Sequence, residues 1–311
     1  TTSREILSQL VAGDVPARLV EHLGGLDFEV RKDAMRLVNA VLRLGVQLGI
    51  DGQVVEYVRS RPTICQMLLE GAGRVEVVSH CSEMLRSCTL YPQIVRKLLE
   101  ERAACKLIDL AKHQNFDISS EAFSSLREVL LAQRAVSVTY LQANFQEFFE
   151  QYHTLLQADS YTTQRQALRL LGDILLDRSF MEIMVTYVGN EQFLQIHMNL
   201  LRGSSKAIQL DAFHVFKVFV ANPNKPHRVR LILYRNREKI VKLLNSAFSS
   251  KMEGAGPLEA DLKTVTSVLT VLEPPPTTTG AVKQTSTSSQ SQEANSAASA
   301  NPQCALPDSA P

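Results

Sequence analysis

The sequence predicts an all-α chain built from stacked helical repeats of the armadillo or HEAT kind. Three observations carry this. Apolar residues recur with helical spacing through most of the chain, and no segment alternates convincingly as a strand. Hydrophobic residues make up 45 % of the chain and charged residues 21 %, with no Trp and only 14 Gly among 311 residues, a composition that can bury a core and leans towards helix. One helix also recurs: a small residue followed by apolar residues on one face, at Ala34, Cys81, Ala122, Ala167 and Ala212, with gaps of 47, 41, 45 and 45 residues. A helical period in the forties is the mark of HEAT or armadillo units. The small anchor has a physical reason, because stacked helices approach closely there.

In chain order, Ser3 to Leu23 reads as two short helices split by Gly13 and Pro16. Asp27 is placed to cap a longer helix carrying Ala34, Met35, Leu37, Val38, Val41 and Leu42, which the turn from Leu48 to Gly52 ends. Seven residues before four of the five anchors stands a capping residue: Asp27, Asn115, Ser160 and Ser205. Between anchors lie partner helices at 62–69, 91–99, 103–113, 136–157 (room for two), 180–188, 191–201, 228–234 and 238–248. The run Asp211 to Lys225 (DAFHVFKVFVANPNK) is apolar nearly all round and stops at Pro223, as expected of the central helix of a fifth repeat covered by neighbours. The repeat domain is expected over 1–250, a linker with one terminal amphipathic helix over 251–273, and a disordered tail over 274–311. That tail is Pro, Thr, Ser, Ala and Gln with almost no large apolar residue to offset its ordering entropy.

Motifs for chemistry are missing. The seven His form no HExxH, GxSxG and P-loop sequences do not occur, and no EF-hand loop is present, so the expectation is a protein without enzymatic activity, cofactor or metal. The five Cys contain no CxxC, which points to reduced thiols and a cytoplasmic or nuclear setting. His214, on an apolar helix, is expected to be a core histidine, and His80-Cys81 a buried structural pair, since neighbours at i and i+1 on a helix diverge. A net charge of +1 indicates neither a nucleic-acid nor a membrane partner. One basic run, Lys225, His227, Arg228, Arg230, Arg235, Arg237 and Lys239, reads first as a solvated helix face and second as a patch for an acidic protein partner. Beginning at Thr1-Thr2 rather than Met, the chain reads as a fragment or a processed form.

The run from Ala212 to Lys225 (AFHVFKVFVANPNK) resembles the signature of the calcium-binding protein thirty-nine family, also called the mouse-protein-twenty-five or hymA-like kinase scaffold family. Leu26-Asp27-Phe28, Val55-Glu56-Tyr57, Phe116-Asp117-Ile118, Arg165-Gln166, Leu175-Leu176-Asp177-Arg178 and Met198-Asn199-Leu200-Leu201-Arg202 agree in order. The resemblance implies a right-handed armadillo-like solenoid without activity. It implies a scaffold that holds sterile-twenty-class kinases or pseudokinases in the active conformation through its concave face, as a monomer within a heteromeric complex. A pocket near the C-terminal repeats would take a partner tail resembling Trp-Glu-Phe. The family's tail-pocket positions fall on Arg165 and Met198, and its kinase contacts on Arg178 and Met181, with Phe180 as the alternative to Met181 by a one-residue slip. A guanidinium at Arg165 suits a tail carboxylate and a methionine an adaptable apolar wall. Apart from the resemblance, Arg165 reads as a surface arginine paired with Asp173 or another neighbour, and Met198 as core.

Overall fold

The computed structural model describes residues 2–248 and 256–276, and the expected tail and most of the expected linker lie outside these residues. Seventeen α-helices occur among them, and no strand. The recurring helix is every third one: α3 (Phe28–Gln47), α6 (Val78–Cys88), α9 (Phe116–Leu131), α12 (Tyr161–Leu176) and α15 (Lys206–Ala221). Each packs on the next, so the five form a ladder, and all five anchors are buried within it. Their capping residues do what position suggests in three cases. Asn115 accepts from the amides of Asp117 and Ile118, Ser160 from Thr163 and Ser205 from Ile208. Asp27 sits in the extended cap conformation (φ −66°, ψ 157°), but its carboxylate takes no such bond.

Two helices precede each ladder helix and close the outer side. These are α1 (Thr2–Ala12) and α2 (Val15–His22); α4 (Asp51–Ser60) and α5 (Thr63–Gly71); α7 (Pro92–Glu100) and α8 (Ala103–Leu110); α10 (Arg134–Ala143) and α11 (Phe145–Leu156); α13 (Met181–Val188) and α14 (Glu191–Arg202). The stack ends in α16 (His227–Phe248) and α17 (Pro257–Thr270), which lies on α15 and α16 in the ladder position. The expected turn at Leu48 to Gly52 proves tighter than read: α4 begins within it, at Asp51. The two helices expected after Pro223 are one, since neither Gly nor Pro stands between Arg228 and Phe248.

A device not visible as a motif fixes the turn before each ladder helix. Three residues ahead of the anchor, a side chain reaches a carbonyl eight residues back in the preceding helix or turn. Arg31 bonds to Leu23 O (3.2 Å), Ser119 to Ala111 O (2.9 Å), Gln164 to Leu156 O (3.2 Å) and Gln209 to Leu201 O (3.0 Å). Helix C-termini leave carbonyls unpaired, and this one is satisfied four times by the following helix. α6 has Val78 there and uses close approach instead: a Cβ on Gly71 of α5 would collide with the Sγ of anchor Cys81.

Candidate functional site

The groove side of the ladder carries a line of ion pairs, each joining one ladder helix to the next. Arg43 pairs with Glu83 (3.1 Å), Arg86 with Glu121 (2.5 Å), Arg127 with Asp173, and Lys217 with Asp261 of α17 (2.5 Å). Counted from the anchors, Arg86, Arg127 and Lys217 hold the same register position, five residues on, and the corresponding residue of α12 is Gly172. A Cβ there would meet nothing within 4 Å. The α12–α15 step is instead bridged nearer the helix N-termini, by two arginines one turn apart. Arg165 Nε donates to Asp211 Oδ2 at 3.0 Å and Arg169 Nε lies 3.6 Å from the same oxygen. One largely buried carboxylate thus faces two guanidiniums, which leaves the step with one excess positive charge.

Arg165 is held ready rather than sequestered. Its Nη1 donates to the Tyr161 hydroxyl (3.4 Å), one turn back on the exposed side, and the Asp211 hydrogen bond pushes its pKa further up. Of the partners read for it, Asp173 or another neighbour, the structure gives the neighbour Asp211, because Asp173 is taken by Arg127 from α9. Met198 does not join Arg165 at the surface. It is 6 % exposed and part of the continuous core, as its ordinary-core reading has it. The nearest hollow, of about 320 Å³, is lined by the neighbours of both residues: Gln164 on one side, Ile196, Asn199 and Leu200 on the other.

At the other end of α12 the chain turns sharply. The Asp177 carboxylate accepts from the Ser179 amide (2.9 Å) and pairs with Arg134 Nε (2.6 Å), and these hydrogen bonds, the Arg134 one foremost, pull its pKa down to about 2. This places Phe180 wholly inside the core and Met181 outside. Of the two alternatives, Phe180 is withdrawn from the surface, whereas Met181 shares an exposed face of α13 with Val185, near Leu176, all three 55–56 % exposed. Arg178 is exposed next to them, and among the described residues no ion pair engages it.

Behind this site lies a buried polar chain. His153 Nε2 is 3.0 Å from the Tyr187 hydroxyl, which is 2.8 Å from His197 Nε2, among Phe149, Phe193 and Phe219. A single hydroxyl can donate to one ring and accept from the other, so the two neutral imidazoles take opposite tautomers. Burial pushes His153 down to about 4 and His197 to about 3. His214 departs from the core reading: it is half-buried on α15, one turn from both Asp211 and Lys217. His80 is buried edge-on to Phe28.

The basic run is largely tied to its own surroundings. Arg228 pairs with Glu191 (2.9 Å), Arg230 Nε donates to Glu273 O (3.1 Å), Lys225 to Asn222 O (2.6 Å), and Arg237 stacks over Tyr234 at 4.1 Å. Arg235 and Lys239 stay exposed, so the run behaves as the solvated face of one helix. Among the described residues no group of three or more His, Cys, Asp or Glu could hold a metal ion, and no helix is long and apolar enough to cross a membrane.

The chain matches a family model described as Mo25-like over residues 1–268. It is 35 % identical over 242 residues to the calcium-binding protein 39-like of Mus musculus, covering 78 % of this chain and 71 % of the relative. It is 36 % identical over 238 residues to the Mo25-like protein of Schizosaccharomyces pombe (76 % and 72 % covered), and 39 % identical over 227 residues to the degreening-related gene dee76 protein of Auxenochlorella protothecoides (73 % and 70 %). Among solved structures, an engineered protein shares the fold at 13 % identity and a TM-score of 0.50, covering 83 % of this chain and 96 % of that one. A designed armadillo repeat protein aligns at 13 % identity and a TM-score of 0.47, covering 81 % and 98 %.

Proposed function

The chain belongs to the Mo25-like family, and from that premise we propose that it is a non-catalytic scaffold for kinases or pseudokinases of the sterile-twenty class, working in the cytoplasm. The single observation that carries the reading is the apolar patch of Leu176, Met181 and Val185 beside the exposed Arg178, where α12 passes into α13. Exposed large apolar residues grouped on a rigid element suit a protein partner, and an arginine at the rim sets orientation. The scaffold stabilises whichever kinase conformation fits the groove, by its differential affinity for that conformation. At the other end of α12, the Arg165–Arg169 pair takes the carboxylate of the partner's Trp-Glu-Phe-like tail. Met198 then acts from beneath, packing the α14 turn that presents Ile196 and Leu200 to the hollow.

A binding isotherm with a purified sterile-twenty-class kinase domain tests the reading. Met181→Glu and Val185→Glu are expected to weaken binding by about tenfold or more, since a charge then meets a desolvated patch. Unchanged affinity in both variants would remove the patch from the interface. The basic face of α16 makes a second reading, an adaptor for an unrelated acidic partner. It predicts binding that falls steeply with salt and survives the loss of Arg165.

A further inference from the structure

Six residues before each anchor, at the N-terminal edge of the ladder, the chain carries Phe28, Val75, Phe116 and Tyr161, and in the fifth repeat Lys206. Large apolar residues are usually buried, yet these four are between 47 % and 67 % exposed. They stand at the same position of four successive repeats, so they form one apolar row along the rim. Three are the first residue of their helix, and Val75 lies in the turn before α6. The row begins at Phe28, with Lys32 Nζ 4.2 Å above its ring. It ends at Tyr161, against the Arg165–Arg169 pair with its excess positive charge, with Lys206 next in line.

We infer that this row is a track for an extended peptide segment of a protein partner, with apolar side chains at about every third residue and an acidic terminus at the Tyr161 end. Spacing and charge select that occupant. Packed helices lie about 8–10 Å apart, and an extended chain of the polyproline-II kind rises about 3.1 Å per residue with three residues per turn, so every third side chain returns to the same face one repeat further on. A row of four apolar side chains, three of them aromatic, offers each apolar side chain of the peptide a surface, while the two guanidiniums offer a carboxylate a charge-assisted hydrogen bond only at one end. That asymmetry sets polarity: the chain terminates at Arg165 and its preceding residues run from Tyr161 past Phe116 and Val75 to Phe28. The inference rests on the Arg165 tail reading and extends it from a pocket to a track.

Two fluorescein-labelled peptides test it by anisotropy: a short one ending in Trp-Glu-Phe, and the same peptide extended upstream by about nine residues with Leu at every third position. The long peptide is expected to bind about tenfold or more tightly than the short one. Phe28→Ser with Phe116→Ser together should remove that gain and leave short-peptide binding intact. Both positions are exposed, so an unchanged melting temperature is the folding control. Equal affinity of the two peptides for wild type, or an undiminished gain in the double variant, overturns the track. Loss of short-peptide binding in Arg165→Ala alongside either result leaves the tail site standing without the track, and binding indifferent to Arg165 removes the tail site itself. Sedimentation showing a dimer that the double variant abolishes assigns the row to self-association and also overturns the proposal.

Discussion

The α9–α12 and α12–α15 steps both join ladder helices that carry alanine anchors, yet they differ in charge and in what lies beneath them. In the first, Arg127 meets Asp173 one to one near the C-terminal ends. Beneath it Tyr152 is buried, its hydroxyl donating to the carbonyl of anchor Ala167 at 2.7 Å. In the second, Arg165 and Arg169 share Asp211, Gly172 stands where a ladder cation would, and the buried support includes the His153–Tyr187–His197 chain. A balanced pair holds helices together and has little left for a ligand. An unbalanced one offers charge to a partner. In the proposed function it is this excess, rather than the presence of arginine, that would mark the second step for recognition.

Acid should break the comparison hardest. Both buried histidines are neutral when folded and titrate near 6.5 when unfolded, so the unfolded chain binds more protons below that pH. Stability is therefore lost as pH falls from 6.5 towards about 4 and 3, by about 1.4 kcal/mol per pH unit for each histidine. Hydrogen exchange at pH 5 should show α13 to α15 opening before α6 to α9. Uniform loosening would mean that the chain is not the weak support. Smaller effects follow from single side chains of the ladder. Gln209→Ala strips the bond to the buried-end carbonyl of Leu201 and should cost about 1–3 kcal/mol in denaturant unfolding, because a buried acceptor loses its donor. Gly172→Ala should raise stability by about 0.5–1 kcal/mol, since its Cβ meets only open space and glycine is costly inside a helix. Removing the balanced pair by Arg127→Ala should change stability by less than about 1 kcal/mol, as both groups are about half exposed.

Much of this was legible in the sequence because repetition exposes it. Anchors, three of the four caps and the position of α15 follow from period and residue size alone. The pairing of Arg165 was not, because which acid it meets depends on how far α15 slides along α12, and Asp173 and Asp211 both lie within plausible reach. Phe180 and Met181 could not be ranked, since a single turn held by Asp177 decides which side chain enters the core. The twin arginines had a readable signal after all: Arg165 and Arg169 at i and i+4, and an acid one period later at Asp211. Met198 shows the opposite limit: the resemblance put it on a pocket wall, and the structure buries it in the core.

The claim that the unbalanced step is the recognition site has a direct measurement. Titrate one peptide ending in Trp-Glu-Phe into wild type, Arg165→Ala and Arg127→Ala at a single salt concentration. The account predicts about a tenfold or greater loss of affinity in Arg165→Ala and none in Arg127→Ala. Equal affinities across all three, or equal losses in the two variants, would contradict it.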